Sequence, residues 1–198
     1  MAPKIKFGII GCSRISQRSV IPSIMKSQNA EIEMIGSRSL EKAKEFSNKF
    51  SCKKFGSYDD VISDESIDIV YISTPIGTHE EWVIKAASAG KHVLCEKPLA
   101  PTPNDIRQMI EARDKSGKML MTAQHFRYQG SAMAMKAELD TGALGQIYHA
   151  RSWMLRRAGA PTGGHLGGFD LCTFSTLNRA GTMPHSATCI RQQRCCAG

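Results

Sequence analysis

Three short constellations in the chain carry side chains able to do chemistry. The first is Glu96-Lys97-Pro98, where the apolar run His92-Val93-Leu94-Cys95 ends abruptly in an acid, a base and a proline. A run of this kind, launched by Gly90 and closed by Pro98, reads as a buried parallel strand that opens into a loop. Glu96 and Lys97 then stand at the strand's mouth, the edge of an open α/β sheet where loops converge on ligands. The same letters also suit a surface ion pair beside a turn proline. The second is Gly11-Cys12-Ser13-Arg14-Ile15-Ser16, after a β-rich run at residues 4–10. Glycine in that place lets the backbone approach a pyrophosphate resting on the N-terminus of the following helix. Gly11 matches the first glycine of G-x-G-x-x-G, whereas Ser13 and Ser16 stand where the second and third would be, with Ser13 able to offer a hydroxyl to phosphate. A tight strand-to-helix turn with no ligand fits the same residues. The third is Ser37-Arg38, with Lys42 one turn on, at the end of a second apolar run. A site for an unphosphorylated ribose usually carries an acid there. A hydroxyl and two cations suit an adenosine 2′-phosphate instead, which favours NADP with NAD as the alternative.

Residues so far apart in sequence need a scaffold that gathers several strand ends at one edge. Strands are expected at 4–10, 31–36, 53–55, 67–73, between Gly90 and Glu96, and at 119–123, alternating with helical segments. Ser39 is placed as N-cap of a helix at 40–50 with apolar residues at Leu40, Ala43, Phe46 and Phe50. Ser73-Thr74-Pro75 is the exit of the fourth strand and would pass under the cofactor. A helix at about 80–89, with Trp82, Val83, Ala86 and Ala87 inward, ends at Gly90. His79 at its start either caps it or reaches the site. Thr102 and Pro103 form an N-cap and N1 pair for the next helix, which ends near Gly117. This β-α alternation predicts an α/β fold with a doubly wound parallel sheet. Beyond it, a helix at 131–140, a turn at 141–145 and a strand at about 146–155 open a second domain.

Composition excludes several classes. The apolar and charged fractions, 41% and 22%, are those of a globular chain. No apolar run reaches spanning length and none resembles a signal peptide, so a cytoplasmic protein with no membrane partner is expected. Seven cysteines without a CxxC pair argue against a disulfide framework or a metal site, and Cys12, Cys52 and Cys95 read as reduced thiols. The net charge of +8 is uneven, because beyond residue 150 six arginines face the single acid Asp170. Basicity concentrated in that stretch, without interleaved aromatics, does not describe a nucleic-acid surface.

From about residue 4 to 157 the chain resembles the Gfo/Idh/MocA family of NAD(P)-dependent oxidoreductases. The likeness rests on Gly8-Ile9-Ile10-Gly11-Cys12, on Ser37-Arg38, on Ser73-Thr74-Pro75 with His79, and above all on Ala89-Gly90-Lys91-His92-Val93-Leu94-Cys95-Glu96-Lys97-Pro98-Leu99. The resemblance implies a Rossmann-type domain at 1–123 that binds NAD(P), followed at 124–160 by the start of an α+β substrate domain. It implies hydride exchange with a sugar or polyol, homo-oligomers among intact relatives, and Lys97 beside the nicotinamide and the reacting carbon. An ammonium there can hydrogen-bond the reacting oxygen and stabilise developing negative charge. Glu96 would orient it or contact the cofactor, Pro98 would fix the turn through a cis peptide, and Arg127 and Tyr128 would face the substrate. Gly11, Cys12, Ser13, Arg14, Ile15, Ser37, Arg38, Lys42, Ser73, Thr74, Pro75, His79 and Glu96 complete the expected cofactor set.

The likeness fades toward the C-terminus. The segment Gly163-Gly164-His165-Leu166-Gly167-Gly168-Phe169-Asp170 has the family's letters but not its spacing, and residues 161–198 show no sustained period. The expectation is an irregular tail, out of register with an ancestral reading frame, so that Asp170, His165 and His185 are not offered as catalytic. A truncated relative, or a module that binds the dinucleotide without turnover, is the alternative to an enzyme.

Overall fold

The computed structural model describes residues 3–147 and three further strands at 151–157, 169–175 and 189–191. The chain divides into two compact units, Met1–Phe126 and Arg127–Gly198. In the first, six strands form one sheet: β1 (Ile5–Ile10), β2 (Ala30–Gly36), β3 (Lys54–Gly56), β4 (Ile69–Ile72), β5 (His92–Cys95) and β6 (Leu120–Thr122). Their order is β3-β2-β1-β4-β5-β6 and every pairing is parallel. The strand order reverses between β1 and β4, and the C-terminal ends of those two strands flank the crevice where such sheets bind ligands.

Alternation along each strand builds two cores. Ile9 and Tyr71 point to one face and pack with Ile21, Ile24, Ile35 and Phe46. Their neighbours Ile10 and Ile72 point to the other, with Val61, Val70, Val83, Val93, Cys95 and Met109. Ile9, Ile10, Tyr71 and Ile72 are all fully buried, which makes β1 and β4 central strands covered on both sides. The helices α1 (Ile21–Lys26) and α2 (Leu40–Lys49) supply the first core, while α3 (Tyr58–Ser63), α4 (His79–Ser88) and α5 (Pro103–Ser116) supply the second.

The expected caps form. Ser39 accepts the Lys42 N–H, Gly90 ends α4 with φ +75, and Thr102 and Asp105 make a reciprocal capping box at the start of α5. A second box, Ser57 with Asp60, starts α3. The segment after Gly11 differs from a plain helix, because Ser16–Val20 is a π-helical turn that runs into α1. Pro22 stands near the start of α1 and lacks an N–H for the regular i−4 bond. Lys91, only 6% exposed, donates through Nζ to the carbonyls of Asp64 (2.7 Å) and Ile67 (2.8 Å), tying β5 to the loop before β4.

The second unit contains α6 (Gly130–Asp140) and an antiparallel sheet of β7 (Arg151–Arg157), β8 (Phe169–Ser175) and β9 (Cys189–Arg191). Two expectations are corrected. The strand expected at 146–155 forms at Arg151–Arg157, since its extent follows its pairing with β8, from Arg151 opposite Ser175 to Arg157 opposite Phe169. Two strands also occur within the stretch 161–198 expected to be irregular, because backbone pairing with a neighbour sustains extended chain without any side-chain period. Residues 163–168, with His165, and His185 lie outside the described residues. No helix among the described residues is long and apolar enough to cross a membrane.

Candidate functional site

The turn after β1 is built from its own small residues. Gly11 has φ +104, and a Cβ there would lie 3.0 Å from the carbonyl carbon, carbonyl oxygen and Oγ of Ser73. Only glycine combines that backbone with so close an approach to the end of β4. Ser73 Oγ donates to the Gly11 carbonyl at 2.9 Å, locking the two strand ends together. The Ser16 N–H donates to Ser13 Oγ at 3.1 Å, so the Ser13 oxygen caps the start of the helix. The buried Ser16 hydroxyl lies 2.7 Å from the Ser13 carbonyl and 3.2 Å from that of Gly11. The Arg14 and Ile15 N–H groups head the helix with no acceptor among the described residues.

Across the cleft, β5 delivers Glu96 and Lys97. Tyr71 is opposite Leu94 in the β4–β5 register, and Glu96 lies two residues beyond Leu94 on the same face. The fully buried Tyr71 thus reaches Glu96, its phenol donating to Oε1 at 2.8 Å. The Lys97 N–H donates to Oε2 at 3.1 Å. Burial first, and then the Glu96 carboxylate, hold the Tyr71 phenol above its ordinary range, so it remains a donor. Cys95 is pushed up to about 12 by burial and the Glu96 charge, and a thiol so protonated is no nucleophile at neutral pH. Lys97 is exposed, and its peptide bond to Pro98 is cis. Among the described residues its ammonium makes no ion pair.

The loop below is tied by His79. It is 1% exposed, with Nδ1 3.1 Å from the carbonyls of both Pro98 and Leu99, and Nε2 2.9 Å from that of Thr74. Its nitrogens therefore clasp the Lys97 loop to the β4 exit. Thr78 Oγ1 closes the same loop onto Thr74 Oγ1 and the Pro75 carbonyl, each at 2.9 Å. A cleft of about 280 Å³ results, lined by Ile15, Ser73, Thr74, Ile76, His79, Glu96 and Lys97.

At the end of β2, Ser37 is buried and its Oγ accepts the Ser39 N–H at 3.4 Å. Arg38 and Lys42 are exposed cations, and Arg38 lies against Tyr58, whose phenol burial pushes up. Half-buried Cys12 joins this corner to the turn, its Sγ 3.9 Å from the Lys42 carbonyl, and burial raises that thiol as well. The first unit therefore carries the turn, the Ser37–Lys42 corner and the Lys97 loop on adjacent strand ends. Arg127 and Tyr128 fall in the second unit. Tyr71 and Ile76 were not expected at the site. The signal for Tyr71 is a lone phenol in an otherwise apolar strand, Ile69–Ile72.

These residues fit a dinucleotide. The turn offers N–H groups at the head of a helix, the end of β2 offers the Arg38 cation with Lys42 one turn on, and the strand exit offers a carboxylate and an ammonium. Comparison with known proteins agrees. Residues 5–124 match the family model described as an oxidoreductase family with an NAD-binding Rossmann fold. The chain is 40% identical over 144 residues to an uncharacterized oxidoreductase of Rhizobium meliloti, covering 72% of this chain and 43% of that one. It is 35% identical over 147 residues to D-xylose 1-dehydrogenase (NADP(+)) 2 of Haloferax volcanii, covering 74% and 45%. The WlbA dehydrogenase of Bordetella pertussis, solved with NADH and UDP-GlcNAcA, superposes with TM-score 0.68 at 29% identity over 76% of this chain and 44% of that one. The chain thus spans less than half the length of these relatives.

Proposed function

Since the chain belongs to the Gfo/Idh/MocA oxidoreductase family, with an NAD-binding Rossmann domain as its first unit, we propose that it prefers NADP to NAD and serves hydride exchange with a sugar-like substrate. The observation that carries this reading is that Ile15 of the turn and Lys97 of the β5 exit line one cleft, with Ser37, Arg38 and Lys42 beside the turn. When bound, the nicotinamide supplies the ring carbon that gives or takes hydride. The chain's own residues do the rest. The Arg14 and Ile15 N–H groups hold the pyrophosphate, and Ser37, Arg38 and Lys42 hold the 2′-phosphate. As a carbonyl carbon gains its hydride, the Lys97 ammonium gives a proton to the oxygen. In the reverse direction the Lys97 amine takes the proton from the hydroxyl. Glu96 fixes the lysine's backbone through its N–H, and His79 holds the loop that carries it.

The test is a fluorescence titration with NADPH and NADH of the wild type and Arg38→Ala. NADPH binds more tightly to the wild type, and the variant loses about 10- to 100-fold of NADPH affinity while keeping that for NADH. Equal affinity of the wild type for the two would remove the NADP preference. Binding without turnover on a panel of aldoses, ketoses and cyclitols would make the chain a dinucleotide-binding module.

A further inference from the structure

We propose that Tyr71 is a positioning residue for the Lys97 site: acting through Glu96, it keeps that carboxylate off the Lys97 ammonium and so leaves the ammonium free to meet substrate. The inference rests on the reading of Lys97 as proton donor. Glu96 and Lys97 are adjacent in sequence, and both line the same cleft. A carboxylate and an ammonium so placed would be expected to pair. Both carboxylate oxygens are engaged elsewhere, Oε1 by the Tyr71 phenol at 2.8 Å and Oε2 by the Lys97 backbone N–H at 3.1 Å.

Three features make Tyr71 suited to the task. Its ring is fully buried in the apolar core on the α1 face of the sheet, so the phenol has a fixed origin. The β4–β5 register puts Glu96 within its reach on that face. Ser73 Oγ, two residues on, donates to the Gly11 carbonyl at 2.9 Å, while the bond to Glu96 Oε1 comes from the Tyr71 phenol. Without the hydroxyl, Oε1 loses its protein donor and the side chain can turn about its own bonds toward Lys97. The ion pair that follows would take the ammonium from the reacting oxygen and make its proton harder to give.

The experiment reads Lys97 directly and without cofactor. The full chain is labelled with trace acetic anhydride at pH 8, and acylation of Lys97 is measured by peptide mass spectrometry relative to exposed Lys4. In Tyr71→Phe the relative acylation of Lys97 falls about two- to fivefold, as pairing with Glu96 withdraws the free amine. Adding Glu96→Gln, which cannot ion-pair, restores it. Unchanged labelling in Tyr71→Phe overturns the proposal, as does a fall that Glu96→Gln leaves in place, since distortion of the cleft would then be the cause. A purely structural phenol would lower Tm and leave Lys97 labelling alone. Failure of the wild type to bind NADPH would instead strike the cofactor reading, and the two failures are read in separate assays.

Discussion

Gly11→Ala tests whether the turn after β1 must be glycine. An alanine forced to φ +104 lies beyond the usual left-handed well and costs about 1–2 kcal/mol for backbone conformation alone. Its Cβ would stand 3.0 Å from three atoms of Ser73, two of them backbone, so β4 has to shift by a few tenths of an ångström. That shift strains the 2.9 Å hydrogen bond from Ser73 Oγ to the Gly11 carbonyl, about 1 kcal/mol more. The sum is about 2–3 kcal/mol, or roughly 10 °C in Tm for a domain of this size. Gly117→Ala isolates the first term, because Gly117 also has positive φ, +64, with nothing within 4 Å of an added Cβ. It should cost about 1 kcal/mol. Urea unfolding of both variants measures the difference, and NADPH titration reports the functional side. Gly11→Ala should lose at least tenfold in affinity while Gly117→Ala keeps it. Equal urea midpoints for the two, with unchanged NADPH affinity, would refute the close approach of the turn to Ser73.

Two further outcomes follow from the scaffold. Lys91→Met removes two charge-assisted hydrogen bonds to the carbonyls of Asp64 and Ile67 and should cost about 2–3 kcal/mol by urea unfolding, with NADPH affinity of the folded protein unchanged. Lys54 bridges Glu33 (2.6 Å) and Asp64 (2.8 Å). Lys54, and after it Ser66, holds the Asp64 carboxyl down to about 2 from 3.8, and Lys54 first of all lowers Glu33. Because these folded-state values are depressed, their stabilisation is present above the unfolded values near pH 4 and is lost as pH falls toward 2. The urea midpoint of the wild type should therefore drop across that window, and Lys54→Met should flatten the drop. An unchanged acid profile in the variant would count against the bridge.

Much of this protein was legible from local pattern. The six parallel strands, the caps at Ser39, Gly90 and Thr102, and the standing of Glu96 and Lys97 at a strand's mouth all depend on residues within a few positions of one another. Periodicity and capping chemistry act over just that range. Other features are set by which strands become neighbours. Tyr71 meets Glu96 because β4 pairs with β5 in one register, and Lys91 finds the carbonyl of Asp64 through the packing of β5 beside β4. The sequence leaves His79 between a helix start and the site, and the assembled loops make it a clasp on the carbonyls of Thr74, Pro98 and Leu99 at the edge of the cleft. Ser13 and Ser16, which stand where a glycine pattern has its second and third glycines, bond to each other across the turn. Strands β8 and β9 had no period of their own to betray them, since their partners are other strands. A side chain's type limits what it can bond, but which atom it meets across tens of residues is decided only when the sheet has assembled and the buried polar groups must find partners.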